Sequence, residues 1–386
     1  MSKRFQAVGS LLRPKALRDY KNQIRQRDDI AYPFYGDFDG YEECEIAATK
    51  DVVKKQIQHG LDIVTDGEFS KSMWHFDFVW GLKGIARYIA EHGYFFRDKD
   101  EGKKYETRRD IGLRITEPLS GKNHHFIKIF KRVEEMAEGK KTKLCIPSPS
   151  HIFGELSWSN NIGDKGSVYA TPQELKTGLI KAYKEFTEEF AAAGGKILQL
   201  DDCLWEMFAD DNPNSPYTGE NIDQNAVMAL ATEFIDINNE LIDFGHGLGL
   251  AMWTHNCRGN YESRNMGGGT YAKIADLFLK QQKYDRFFLE WDDDRAGSLG
   301  ALAAFKDKPQ TEIVLGLLSS KTNTLDDEAR AIKMLDEAAK IVPKDRLFLS
   351  HQCGFASCDS GNELTEDEQW EKIKQGQKIA LEYWGE

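Results

Sequence analysis

The sequence predicts an α/β fold, a (β/α)8 TIM barrel of parallel strands ringed by helices, with a hairpin inserted after strand two. Three observations carry that expectation. Eight short apolar runs recur along the 386 residues, helical patterns separate most of them, and residues able to do chemistry gather where the runs end. A doubly wound open sheet is the structural alternative. The length allows two average domains or one large barrel, and the recurring alternation favours a single domain over residues 1–386.

The apolar runs are Phe5–Gly9, Leu61–Thr65, Lys143–Pro147, Lys196–Leu200, Leu248–Thr254, Arg286–Trp291, Glu312–Leu318 and Leu347–Ser350. Each is bounded by turn residues, as a buried parallel strand should be. Between them, residues 171–193, 225–244 and 326–341 carry apolar side chains at helical spacing. Thr171, Pro172 and Glu174 form a helix start with a capping box, and Thr365 with Glu368 repeats that spacing ahead of a C-terminal helix over 365–383. Residues 94–118 break the alternation. They read as two strand-like ends around a charged turn, hence the hairpin.

Composition removes several classes of function. A net charge of -12 with no basic block argues against nucleic-acid binding. No run of 18 or more apolar residues appears, and the first ten residues lack a signal-peptide apolar core, so a cytoplasmic protein without a membrane span is expected. In that reducing compartment the six cysteines (44, 145, 203, 257, 353 and 358) are expected as thiols, some of them ligands.

The chemistry centres on residues 247–257, GLGLAMWTHNC. Side chains two apart on a strand share a face, so His255 and Cys257 point to one spot. In a barrel the active site lies at the C-terminal ends of the strands, and the other run ends supply partners there. Run one ends in Gly9-Ser10, run two in Asp66-Gly67-Glu68, run four in Asp201-Asp202, run six carries Glu290, and run eight leads to Cys353-Gly354. His255, Cys257, Glu290 and Cys353 make a four-ligand set for Zn2+ with a net formal charge of about -1. Such a centre suits alkyl transfer to a thiol better than hydrolysis, because it can bind a thiol and take its proton. Glu68 and Asp201 can hold a substrate ammonium, and the Gly9-Ser10 turn can meet a carboxylate. Together these describe an amino-acid thiol.

These pieces, Val8-Gly9-Ser10, Asp66-Gly67-Glu68-Phe69, Gln199-Leu200-Asp201, His255-x-Cys257, Glu290 and Cys353-Gly354, resemble the catalytic barrel of cobalamin-independent methionine synthase in a short single-barrel form. They span nearly the whole chain in the family's order. The resemblance implies zinc on His255, Cys257, Glu290 and Cys353, and a homocysteine site on Val8, Ser10, Glu68 and Asp201. It also implies methyl transfer from 5-methyltetrahydrofolate to homocysteine, with small molecules as the only partners. Three departures stand out. The second, N-terminal barrel of the full-length family is absent, a long loop over 258–273 separates Cys257 from Glu290, and run seven ends in Leu318-Ser319-Ser320 where the family has a histidine proton donor. His351, two residues before Cys353, is the substitute acid expected from strand alternation. The alternative is a donor that needs no proton, such as a sulfonium or a methyl-corrinoid.

Other features carry plainer expectations. Cys44, Cys145, Cys203 and Cys358 are read as structural. His124-His125 reads as a solvated helix start, Gly267–Gly269 as a mobile lid, and Asp292–Asp294 as a solvated turn. Trp74, Trp158 and Trp205 can stack on a pterin, but large barrels bury tryptophan in any case. The competing functions are a metal-free lyase of the uroporphyrinogen-decarboxylase type and a catalytically idle zinc or amino-acid sensor.

Overall fold

The structure is a computed structural model that describes residues 1–97, 103–158, 161–163, 167–210, 218 and 222–385, without the side chain of Trp158. In chain order its main elements are α1 (Lys15–Ile24), α2 (Tyr41–Gln58), β1 (Ile63–Val64), α3 (Phe76–Gly81), β2 (Lys83–Tyr88), β3 (Phe95–Arg97), β4 (Lys104–Glu106) and β5 (Gly112–Ser120). Then follow α4 (His125–Met136), β6 (Lys141–Thr142), β7 (Leu144–Pro147), α5 (Pro149–Trp158), α6 (Pro172–Ala192), β8 (Ile197–Asp201), α7 (Trp205–Ala209) and α8 (Gln224–Gly247). The chain closes with β9 (Ala251–Asn256), β10 (Arg286–Glu290), β11 (Glu312–Leu318), α9 (Glu328–Ala339), β12 (Leu347–His351) and α10 (Glu366–Trp384).

The fold is α/β. Strands β7 to β12 form a six-stranded parallel sheet in which every strand lies beside its sequence neighbour. β8, β10 and β12 are buried along their full lengths, as expected of parallel strands covered on both faces. β1 and β6 form a separate two-stranded parallel pair.

The first two apolar runs make far less strand than their composition suggests. Phe5 makes a single parallel bridge to Leu349. The second run pairs only at Ile63 and Val64 because the Gln56 side chain takes over both backbone groups of Thr65, at 3.1 and 2.8 Å. The fifth strand starts three residues later than the run at Leu248. α8 continues to Gly247, and Gly249, at φ 77°, turns the chain before Leu250 donates back to Gly245. The shift carries β9 through His255 and Asn256. Between β9 and β10 the chain makes short 3-10 and π turns instead of an α-helix.

Helix starts follow the sequence closely. Thr171 caps α6 by accepting from the Glu174 backbone, while the Glu174 carboxylate returns to Ala170 rather than Thr171. Thr365 and Glu368 make the full reciprocal capping box of α10. His124 differs from expectation. It caps α4 but is buried, with its ring between Phe78 and Phe186 and Nε2 on the Phe78 carbonyl, so aromatic packing replaces the solvated start.

Within residues 94–118, β3 pairs antiparallel with β4, and β5 turns back along β2, also antiparallel. The charged turn itself lies outside the described residues. Arg108 and Asp110 anchor this segment through a buried ion network that reaches Asp359. Among the described residues no helix is long and apolar enough to cross a membrane.

Candidate metal and substrate site

Sheet register brings the chemistry together. Asp201 at the end of β8 lies directly beside His255 of β9, and the loop after β12 delivers Cys353 to the same place. A cavity of about 390 Å³ lies there, lined by Val8, Ser10, Glu68, Asp201, His255, Cys257 and Cys353 together with Trp74, Tyr94, Phe96, Tyr261 and other residues. That volume falls in the range of small-ligand pockets.

His255, Cys257 and Cys353 are all buried and offer ligand atoms within 4.8 Å of one another. Both ring nitrogens of His255 lack a hydrogen-bond partner, an expensive state for a buried imidazole and one that a metal would relieve. Cys257 is held well below the usual thiol range, because Cys203 lies within hydrogen-bond distance of its sulfur and Cys353 and His255 lie beside it. Cys353 is pushed up, first by its bond to that thiolate and then by burial. Burial works against protonation of His255, yet its pKa rises because the Cys257 charge lies beside it. The surroundings therefore favour the thiolate form of Cys257, the form that binds a soft cation. These residues fit zinc.

Glu290 stands differently. Its Oε2 accepts from the Arg258 backbone at 2.8 Å, and its Oε1 accepts from Arg295 at 2.9 Å and Lys321 at 3.3 Å. It is not grouped with the three convergent ligands and does not line the cavity. His351 also lies off the cavity. Its ring packs against Phe5 and Phe355, and burial drives its pKa down to about 3. Strand alternation predicts that it shares the inward face with Cys353, but β12 ends at His351 and the aromatic cluster of Phe5 and Phe355 takes the ring, so it is not placed to protonate a donor.

Glu68 and Asp201 offer oxygens within 4.8 Å of one another, and Ser10 lines the same cavity. Glu68 follows Gly67 in a turn where both adopt positive φ, 61° and 67°, an uncommon state for a non-glycine residue. Asp66 fixes the turn by accepting from the Glu68 backbone at 2.9 Å, and Arg13 donates to the carbonyls of Glu68 and Lys71. Lys71 pairs with the Glu68 carboxylate at 3.0 Å. Burial raises Asp201 to about 6, against the pull of His255, and Gln199 donates to it at 2.7 Å. Gly354 is required by close approach, since a Cβ there would meet the Ser10 hydroxyl at 2.0 Å.

Several residues at the site escaped the sequence reading. The Cys203 sulfur lies 3.3 Å from that of Cys257. Asp201-x-Cys203 has the same two-residue spacing as His255-x-Cys257 and was readable on that ground. Cys145 groups with Glu68 and Asp201. Glu206 lines the cavity with its pKa raised to about 8 by burial and by the Cys257 charge. His75, His151 and Glu155 form a second buried cluster on the same cavity, and His151 with Glu155 was visible as an i, i+4 pair.

Other expectations shift. Gly267–Gly269 is buried rather than an exposed lid, with Gly267 against Glu206 and Gly269 against Ala209, because Arg258 donates to the Gly269 carbonyl. Asp292 is largely buried, unlike Asp293 and Asp294, and burial raises it to about 7. Trp74 lines the cavity, whereas Trp205 is fully buried and donates to Asp202. The ring of Trp158 lies outside the described residues.

An imidazole and two thiols at the ends of parallel strands define an α/β protein with a candidate metal centre, and similarity to known proteins narrows that class. The uncharacterized protein YxjH of Bacillus subtilis is 34% identical over 378 residues, covering 98% of this chain and 93% of the relative. YxjG of the same organism is 30% identical over 383 residues, covering 99% and 94%. A Listeria monocytogenes structure described as a candidate vitamin-B12 independent methionine synthase is 28% identical with a TM-score of 0.70, covering 98% of this chain and 97% of that one. A B12-independent methionine synthase from Shewanella sp. W3-18-1, in complex with selenomethionine, shares the fold at 17% identity and a TM-score of 0.66, covering 98% and 97%. No family model matches the chain. The chain belongs to the cobalamin-independent methionine synthase-like family.

Proposed function

We propose that the protein is a zinc-dependent methyltransferase that moves a methyl group onto the thiol of homocysteine to form methionine. The observation that carries this reading is the convergence of His255, Cys257 and Cys353 in a cavity shared with Asp201, Glu68 and Ser10. His255, Cys257 and Cys353 would hold the metal, with Glu290 as the fourth ligand implied by the family resemblance. Bound zinc supplies one thing there: it acidifies a substrate thiol and keeps its sulfur nucleophilic.

The chain's own residues do the rest. Asp201, at about 6, is ionised at neutral pH, and an incoming ammonium would hold it so more firmly. Lys71 neutralises Glu68 in part, so Asp201 is the principal ammonium partner and Glu68 orients it. Ser10 and the backbone beside Val8 meet the substrate carboxylate. Selenomethionine in the Shewanella protein supports an amino-acid product at this site. The mostly apolar cavity walls exclude water from the methyl in transit.

The whole chain, 1–386, is proposed as one closed (β/α)8 barrel with residues 94–118 as its insertion. The Phe5–Leu349 bridge joins the N-terminal segment to β12, Thr65 donates to the Gly9 carbonyl, and Lys143 donates to the Val64 carbonyl ahead of β7. A cytoplasmic location follows from the reduced thiols the site needs.

One observation favours a donor other than 5-methyltetrahydrofolate. Where the family has its acidic histidine, Ser320 is buried and its hydroxyl donates to the Gly354 carbonyl. The test is methionine formation from homocysteine by zinc-loaded protein, assayed with 5-methyltetrahydrofolate, a sulfonium and a methyl-corrinoid. Turnover with any of them, lost in Cys257→Ser, supports the reading. Absence of zinc from protein made with ample metal would sink it.

A further inference from the structure

The cavity carries a second group of metal-capable side chains that methyl transfer to a thiol does not use. His75, from the loop before α3, and His151 with Glu155, from α5, offer ligand atoms within 4.8 Å of one another, and all three line the cavity. They are separate from the thiol and imidazole ligands, and nothing in the proposed methyl transfer accounts for them.

Their spacing is informative. The Nε2 atoms of His75 and His151 each lie 3.6 Å from the same oxygen, Oε1 of Glu155. That is too long for a hydrogen bond, and all four ring nitrogens are buried without a partner. Two ligands each about 2.1 Å from a shared ion, at a tetrahedral angle, stand about 3.4 Å apart. The gap among these three side chains is therefore the size of a metal ion.

The surroundings hold the group in place. Tyr94 donates its hydroxyl to both oxygens of Glu155, at 2.7 and 2.6 Å, and so orients the carboxylate. The Trp74 ring lies 4.4 Å from the His75 ring and 4.8 Å from the His151 ring. Trp74 is itself pinned by donation from its backbone to the Ser357 carbonyl at 2.8 Å. Burial lowers His75 to about 4, which keeps it neutral, as a ligand must be.

We propose that His75, His151 and Glu155 form a second metal site that takes a divalent first-row transition ion. Two imidazoles and one carboxylate suit Zn2+, Fe2+ or Mn2+. Three protein ligands leave coordination positions for an oxygen of the second substrate. The site stands apart from the thiol centre and does not depend on the zinc reading made above.

Cobalt separates the two centres, because thiolate ligands give Co2+ an intense near-ultraviolet charge-transfer band and imidazole–carboxylate ligands do not. Chelator-stripped, reduced protein titrated with Co2+ under argon should bind two equivalents per chain, only one of them with the thiolate band. His75→Ala and His151→Ala should each bind one equivalent and keep the band. Cys257→Ser combined with Cys353→Ser should bind one equivalent without it. Circular dichroism checks folding, and should an alanine variant misfold, the wild-type stoichiometry and Glu155→Gln decide. A wild type that binds a single equivalent carrying the thiolate band, or folded His75→Ala and His151→Ala variants that still bind two, would overturn the second site. A wild type lacking the thiolate band would instead count against the zinc centre, which keeps the two failures distinct.

Discussion

The sulfur of Cys203, just after β8, lies 3.3 Å from the sulfur of Cys257, just after β9, and helps hold Cys257, beside His255 and Cys353, as a thiolate. A thiolate with three neighbours is poised for a metal, but Cys203 is a supporting group rather than one of the three convergent ligands. Cys203→Ala should therefore leave zinc bound yet loosen it, by roughly tenfold to a hundredfold as for other groups that orient a ligand. Competition against a graded series of chelators measures this. Complete loss of metal would promote Cys203 to a ligand, and unchanged affinity would make it a bystander.

In the proposed reaction, Asp201 is the residue on which acceptor binding turns. Asp201→Asn keeps the shape and removes the charge, so zinc content should hold while homocysteine binding weakens by about 1.5–3 kcal/mol, the worth of a hydrogen bond to a charged group. Calorimetry on zinc-loaded protein checks it. The loss should shrink at low pH, because burial raises wild-type Asp201 to about 6 and it loses its own charge below that. Equal homocysteine affinity in the two proteins at neutral pH would remove Asp201 from the site.

Much of this was legible before any coordinates, and the reason is local. Two-residue alternation on a strand reveals His255 and Cys257, and the same rule applied to Asp201 would have revealed Cys203. Helix starts are written within four residues, so Thr365 and Glu368 could be read directly. Long-range competition stays hidden. Nothing near Glu290 in sequence announces that Lys321, 31 residues on, reaches its carboxylate. The Gln56 side chain that ends β1 and the Phe5 ring that packs His351 are likewise contacts that only folding creates.

Glu290 gives a prediction of its own. It faces Arg295 at 2.9 Å and Lys321 at 3.3 Å while itself fully buried, so Glu290→Gln strips the charge from the centre of an ion network. In metal-free protein the variant should unfold more easily, by on the order of 2 kcal/mol, since hydrogen bonds to charged groups are worth about 1.5–3 kcal/mol. Chemical denaturation of the stripped protein reads the change without interference from zinc. A stability equal to wild type would mean that Arg295 and Lys321 do not depend on Glu290.

His351 supplies the last prediction, because two of its roles compete. Alternation along the strand places it beside Cys353 as a proton donor, whereas packing seals it between Phe5 and Phe355, away from the cavity. Burial, helped by the nearby Lys372, lowers its pKa to about 3, so it is neutral and a poor acid at physiological pH. A base whose folded pKa is depressed contributes stability that is present above its unfolded value, near 6.5, and is lost as pH falls toward the folded value. Wild-type protein should therefore lose stability on acidification from about pH 6.5, with His351 accounting for one of the protons taken up on unfolding. His351→Gln should flatten that acid slope by one proton while methionine formation, with whichever donor supports it, proceeds at close to the wild-type rate. Denaturation curves from pH 7 to pH 4, run beside the activity assay, measure both. An unaltered acid slope together with abolished turnover would return His351 to the role that strand alternation suggested.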